Sequence, residues 1–116
     1  ARAQDFVFGQ IRHAKSGKEI HQSVERLFEK EGYKTGKRDG HLQGFFHGTG
    51  HGLGLEIHET PRLGPNTNDM LKAGHVVTIE PGLYYPELGG VRLEDVALVT
   101  NRAPRNLTKF EKVLEV

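Results

Sequence analysis

At 116 residues and a formal net charge of +1, the chain has the length of one small domain. That balance gives no reason to expect nucleic acid or an anionic membrane as partner. Cysteine is absent, which excludes a disulfide framework and thiolate metal sites and leaves imidazole and carboxylate as the metal ligands.

The first stretch, 1–14, spaces Ala3, Phe6, Val7, Gln10, Ile11 and Ala14 by threes and fours and predicts a helix. Lys15-Ser16-Gly17-Lys18 breaks it. Ser16 and Glu19 then stand at capping-box spacing before Ile20, Val24, Leu27 and Phe28, so a second helix is expected over 17–31. Gly32 suits a left-handed stop to that helix. From residue 33 the texture turns to glycine, histidine and short apolar runs, with strands expected near 53–58, 75–80 and 91–99. Two helices followed by an antiparallel-looking β section make the fold class α+β. No apolar run approaches the roughly 20 residues that span a bilayer, and no secretory signal opens at Ala1. A soluble, cytoplasmic protein is the expectation.

Five of the 7 histidines fall within 41–75, three of them in His47-Gly-Thr-Gly-His51-Gly-Leu-Gly-Leu-Glu-Ile-His58. The glycines let backbone approach closely, which is how a chain crowds several side chains around one point. A single unbroken strand would send His51 and His58 to opposite faces, whereas a bend or bulge would bring them together. The glycines do not fit a dinucleotide or phosphate-binding loop. Arg62 occupies the place of the second histidine of H-E-x-x-H, and no G-x-S-x-G occurs. Glu80 ends the β-type run Val76-Val77-Thr78-Ile79, and Arg92 and Glu94 alternate with Leu93 and Asp95 in the run that follows. One histidine with two acids makes an oxygen-rich site suited to Mn²⁺, Co²⁺, Fe²⁺ or Zn²⁺. Spacing alone leaves the plainer alternatives open: surface histidines in a glycine-rich loop, a strand-end Glu80, and a structural Arg92–Glu94 ion pair.

Three segments carry a family resemblance: His47 through Pro61, Thr78-Ile-Glu80-Pro-Gly-Leu-Tyr84, and Gly90-Val-Arg92-Leu-Glu94-Asp95. In order and spacing they resemble the pita-bread (creatinase/aminopeptidase-like) metallopeptidases, over about residues 1 to 108. That family includes methionine aminopeptidases, Xaa-Pro aminopeptidases and Xaa-Pro dipeptidases (prolidases). Arg-x-Glu-Asp around Glu94 and Leu83-Tyr84-Tyr85-Pro86 are more like the proline-directed branch.

The resemblance implies that His51 and Glu80 are metal ligands and that Glu94 bridges two divalent ions (Mn, Co, Fe or Zn). It implies that His58 contacts the substrate carbonyl and that His47 and Arg92 lie near the substrate. The activity implied is hydrolysis at an Xaa-Pro N-terminus, with a peptide carrying proline in second position as substrate. Methionine aminopeptidase and a metal-free peptide-binding module are the alternatives. The chain departs from the family in its aspartates. Two aspartate ligands about ten residues apart belong upstream, and the acids of that type before His51, Asp5 and Asp39, lack their context. Residues 1–116 are therefore expected to be the C-terminal portion of a catalytic domain, inactive alone, and prone to self-association where a partner half is missing.

Overall fold

The computed structural model describes residues 1–113. Helix α1 spans Arg2–Phe8 and α2 spans Gly17–Lys30. The first is shorter than its 1–14 pattern predicts. Past Gly9 the chain turns, and Ile11, only 1% exposed, fills the core from a non-helical segment. Core contact, not helical geometry, explains the continuing apolar spacing. The second helix matches its signals: Ser16 Oγ accepts from the Glu19 amide at 3.3 Å, and Gly32 ends it at φ +88°.

Nine short strands follow among the described residues, all in antiparallel pairs. Gly36–Arg38 (β1) and His41–Gln43 (β2) form a hairpin through Asp39-Gly40, both at positive φ. Gly50–Gly52 (β3), Glu59–Leu63 (β4), Val76–Ile79 (β5), Asp95–Leu98 (β8) and Arg105–Asn106 (β9) build one sheet in the order β4-β3-β5-β8-β9. Gly82–Tyr85 (β6) and Gly89–Arg92 (β7) form a second hairpin, joined to the β2 end by a Gly44–Tyr84 bridge. The class is α+β, as expected.

Two expected strands differ. The 53–58 stretch is an exposed loop between β3 and β4, with the Glu59 carboxylate lying over Gly54. The 91–99 stretch is two strands: Arg92 still pairs with Gly82 of β6, whereas Asp95 pairs with Ile79 of β5. The chain changes sheets at Leu93-Glu94, so Arg92 and Glu94 do not share one strand face.

The core packs Val7, Ile20, Val24 and Phe28 of the helices against Phe45, Leu63, Leu71 and the buried side of the large sheet. Alternation along β5 sends Val77 and Ile79 into that core. Thr78 and Glu80 are out of phase with them and take the other face.

Candidate functional site

Strand register assembles the site. Across β3 and β5, Gly52 pairs with Val77, so His51 lies level with Thr78 and Thr49 level with Glu80. The Glu80 amide accordingly donates to the Thr49 carbonyl at 2.8 Å. Across β5 and β8, Ile79 pairs with Asp95, and one step further Glu80 comes level with Glu94. Two like charges directly opposite each other destabilise a sheet unless a cation lies between them. Gly50 and Gly52 are what let β3 enter: a Cβ on either would run into the carbonyls of Thr78 or Thr60. The β3–β4 register shifts between these two glycines, the irregularity that lets the chain fold back after His51.

One ligand atom from each of His51, Glu80 and Glu94 lies within 4.8 Å of the others. His51 Nδ1 is 2.9 Å from the Gly52 carbonyl, which can only accept, so the ring proton sits on Nδ1. Nε2 then turns its lone pair toward Glu80 Oε1 at 3.2 Å. Two acceptors cannot face each other at that distance without a proton or a metal ion between them. A third oxygen donor, Glu94, within reach makes the set fit a divalent metal. Backbone bonding of the far ring nitrogen is the usual way a ligating histidine is oriented.

The remaining carboxylate contacts are specific. Glu80 Oε1 accepts from the Thr78 hydroxyl at 3.0 Å, and Oε2 faces Arg92 Nε at 3.7 Å. Arg92 thus pairs with Glu80, and the structural Arg92–Glu94 pair left open by the sequence is not formed. His58 does join His51, its ring centroid 4.5 Å away and its plane tilted by 67° in an edge-on contact. It is exposed, and its carbonyl accepts from Arg62 Nη2 at 3.3 Å. His47 donates from Nδ1 to the Gly48 carbonyl at 2.8 Å, while its Nε2 is buried and unpartnered among the described residues. It packs on Tyr84 and Phe45, and a Cβ at Gly82 would touch His47 Nε2, the Tyr84 hydroxyl and Arg92 Cβ. His47 and Arg92 therefore converge over Gly82, next to Glu80.

Three further residues, none of them singled out from the sequence for a role of its own, bear on this arrangement. Thr78 stands two positions ahead of Glu80 and so on its face. Tyr84 walls His47. His21, 2% exposed on α2, has Nδ1 3.0 Å from Thr49 Oγ1 and Nε2 3.4 Å from Glu25 Oε1. Burial lowers its pKa from the ordinary value, against the opposing pull of the Glu25 carboxylate. The neutral ring donates a hydrogen bond from Nε2–H to Glu25 and accepts one at Nδ1 from the Thr49 hydroxyl.

Known proteins share this architecture. The family model for metallopeptidase family M24 matches residues 1–101. The Xaa-Pro dipeptidase of Pyrococcus furiosus is 53% identical over 62 residues, covering 53% of this chain and 18% of the relative. Among solved structures, the prolidase from Pyrococcus horikoshii aligns at TM-score 0.83 and 37% identity, covering 97% of this chain and 30% of that one. The Xaa-Pro dipeptidase from Bacillus anthracis aligns at TM-score 0.84 and 38% identity, covering 97% of this chain and 30% of that one. The chain thus spans under a third of the length of these relatives. Its two helices and antiparallel sheets are those of the pita-bread fold, and the match over nearly all of its length makes it a member of metallopeptidase family M24.

Proposed function

We propose that residues 1–116 form the metal-binding C-terminal portion of a catalytic domain that hydrolyses peptides at an Xaa-Pro N-terminus. The observation that carries the reading is the pair of lone pairs facing each other at 3.2 Å between His51 Nε2 and Glu80 Oε1, with Glu94 in reach. That arrangement fits a metal ion, and Glu94 as a third donor within reach is what favours the metal over a simple His51–Glu80 ion pair. Proline-directed chemistry is supported by relatives named Xaa-Pro dipeptidase and prolidase, and by Arg92 two residues ahead of Glu94.

A bound divalent ion supplies Lewis acidity, lowering the pKa of a water and polarising a carbonyl. Manganese, cobalt, iron and zinc all suit the donors, and a second ion sharing Glu94 is part of the proposal. This chain's own residues do the rest. Glu94 lies across from Glu80, and both carboxylates can move protons once ionised beside substrate. Arg92 and Thr78 hold Glu80 at both oxygens. His58 donates a hydrogen bond where charge grows on the peptide oxygen. His47 Nε2, an unpartnered acceptor, is placed to receive a hydrogen bond from substrate. Self-association of this portion and a cytoplasmic setting belong to the same proposal.

The test is substrate choice with metal content in a protein that carries this chain together with the remainder of the catalytic domain. Metal-loaded protein is expected to cleave Xaa-Pro peptides and spare Met-Xaa peptides, and His51→Ala is expected to lose both metal and cleavage. Preference for Met-Xaa peptides would move the chain to the methionine aminopeptidase branch. Failure to take up any divalent metal would make it a binding module.

A further inference from the structure

We propose that Thr78 is a positioning residue for the metal-binding pair, its single hydroxyl locking His51 and Glu80 into one geometry; this rests on the metal reading above. Thr78 lies in β5 and is 1% exposed. Its Oγ1 accepts from the His51 backbone amide at 3.0 Å and donates to Glu80 Oε1 at 3.0 Å. A hydroxyl has one proton. Because the His51 amide can only donate, that proton is committed to Glu80, and the polarity of the link is set.

The hydroxyl is also held in place. Threonine is stiff at χ1, and Gly50 of β3 packs so closely that a Cβ there would lie 3.2 Å from Oγ1. The contact therefore ties two strands and two candidate ligands through one atom. On the strand carrying His51 it sets the backbone from which the imidazole projects. On Glu80 it holds Oε1 toward His51 Nε2 while Arg92 faces Oε2. Orienting partners of this kind typically change metal affinity by roughly 10–100-fold when removed.

The experiment titrates the 116-residue chain with Zn²⁺ by calorimetry, comparing wild type, His51→Ala, Thr78→Val and Thr78→Ser, with metal-free thermal unfolding as the fold control. Thr78→Val keeps the shape and removes the hydroxyl. It is expected to weaken Zn²⁺ binding about 10–100-fold, with Thr78→Ser restoring most of the loss. Equal affinity in wild type and Thr78→Val overturns the role of Thr78 alone. A loss no greater than the increase in unfolded fraction overturns it too. A wild type that binds no Zn²⁺ overturns the metal reading, and this proposal with it. Should Thr78→Val not fold, the wild type decides by NMR. Zn²⁺ is then expected to slow exchange of the His51 amide and shift the Thr78 side-chain resonances, and leaving both unchanged overturns the proposal.

Discussion

At the scale of single residues, His58 and His51 touch but are held differently, and the difference predicts different phenotypes. His51 is 8% exposed and points its Nε2 at Glu80, whereas His58 is exposed, outside the three-residue cluster, and secured mainly through its backbone by Arg62. Removing His58 should therefore spare metal binding and take away the oxyanion donor proposed above. In a complete enzyme, His58→Ala is expected to cut turnover about 10²–10³-fold with metal content unchanged, as read by elemental analysis beside steady-state rates. Parallel loss of both would show His58 to be a ligand. His21 makes a different prediction. Its folded pKa is lowered by burial, so the unfolded chain binds the proton first, starting near the ordinary value of 6.5. Stability from the neutral ring is complete above that pH and is lost as pH falls below it. The charges bearing on the ring, Glu25 raising and His47 lowering its pKa, leave that sign in place. Thermal unfolding measured from pH 7.5 to 5 is expected to fall in wild type and to fall less steeply in His21→Leu. Of the site itself, the histidines and acids were legible in the sequence because their types and motifs are distinctive. Thr78 and His21 were not, since a hydroxyl beneath a strand and a histidine on an apolar helix face show their use only once β3 is laid across β5.

At the scale of elements, glycine does two jobs that composition cannot separate. Gly40 sits at φ +81° in the β1–β2 turn, and nothing lies within 4 Å of where a Cβ would stand. Gly50 has no such conformation to hold, but a Cβ there meets the Thr78 carbonyl. Gly40→Ala should thus cost only the left-handed backbone penalty, roughly 1–2 kcal/mol, and leave metal affinity alone. Gly50→Ala should push β3 off β5 and weaken metal binding even where the chain still folds. Denaturant melts with Zn²⁺ titrations separate the two cases, and matching losses of affinity would refute the distinction. The same turn shows what was readable and missed: Asp39-Gly40 is a strong two-residue hairpin signal, flanked here by strands too short and too polar to announce themselves. The second helix was readable because Ser16, Glu19 and Gly32 mark both of its ends locally. The 53–58 loop was misread because Leu53, Leu55 and Ile57 alternate as a buried strand would, although all three are exposed.

At the scale of the whole molecule, those same side chains raise the question of what covers them. Leu55 and Ile57 are 103% and 74% exposed, in the loop that delivers His58 to the site. Phe46, half-exposed, stacks near His47 and Tyr84, so apolar surface is also present on the site's other wall. Apolar side chains gathered around polar groups mark surfaces that associate, and the solved relatives have more than twice this chain's length with which to cover theirs. Association with another copy would remove that surface from water. Sedimentation across a concentration series is expected to show reversible dimers or larger species, and Leu55→Ser with Ile57→Ser should shift the chain toward monomer without lowering its melting temperature, since neither side chain belongs to the core. A wild-type chain that stays monomeric throughout would show that the exposed loop is tolerated in water. Association unchanged by the double substitution would move the interface to another part of the surface.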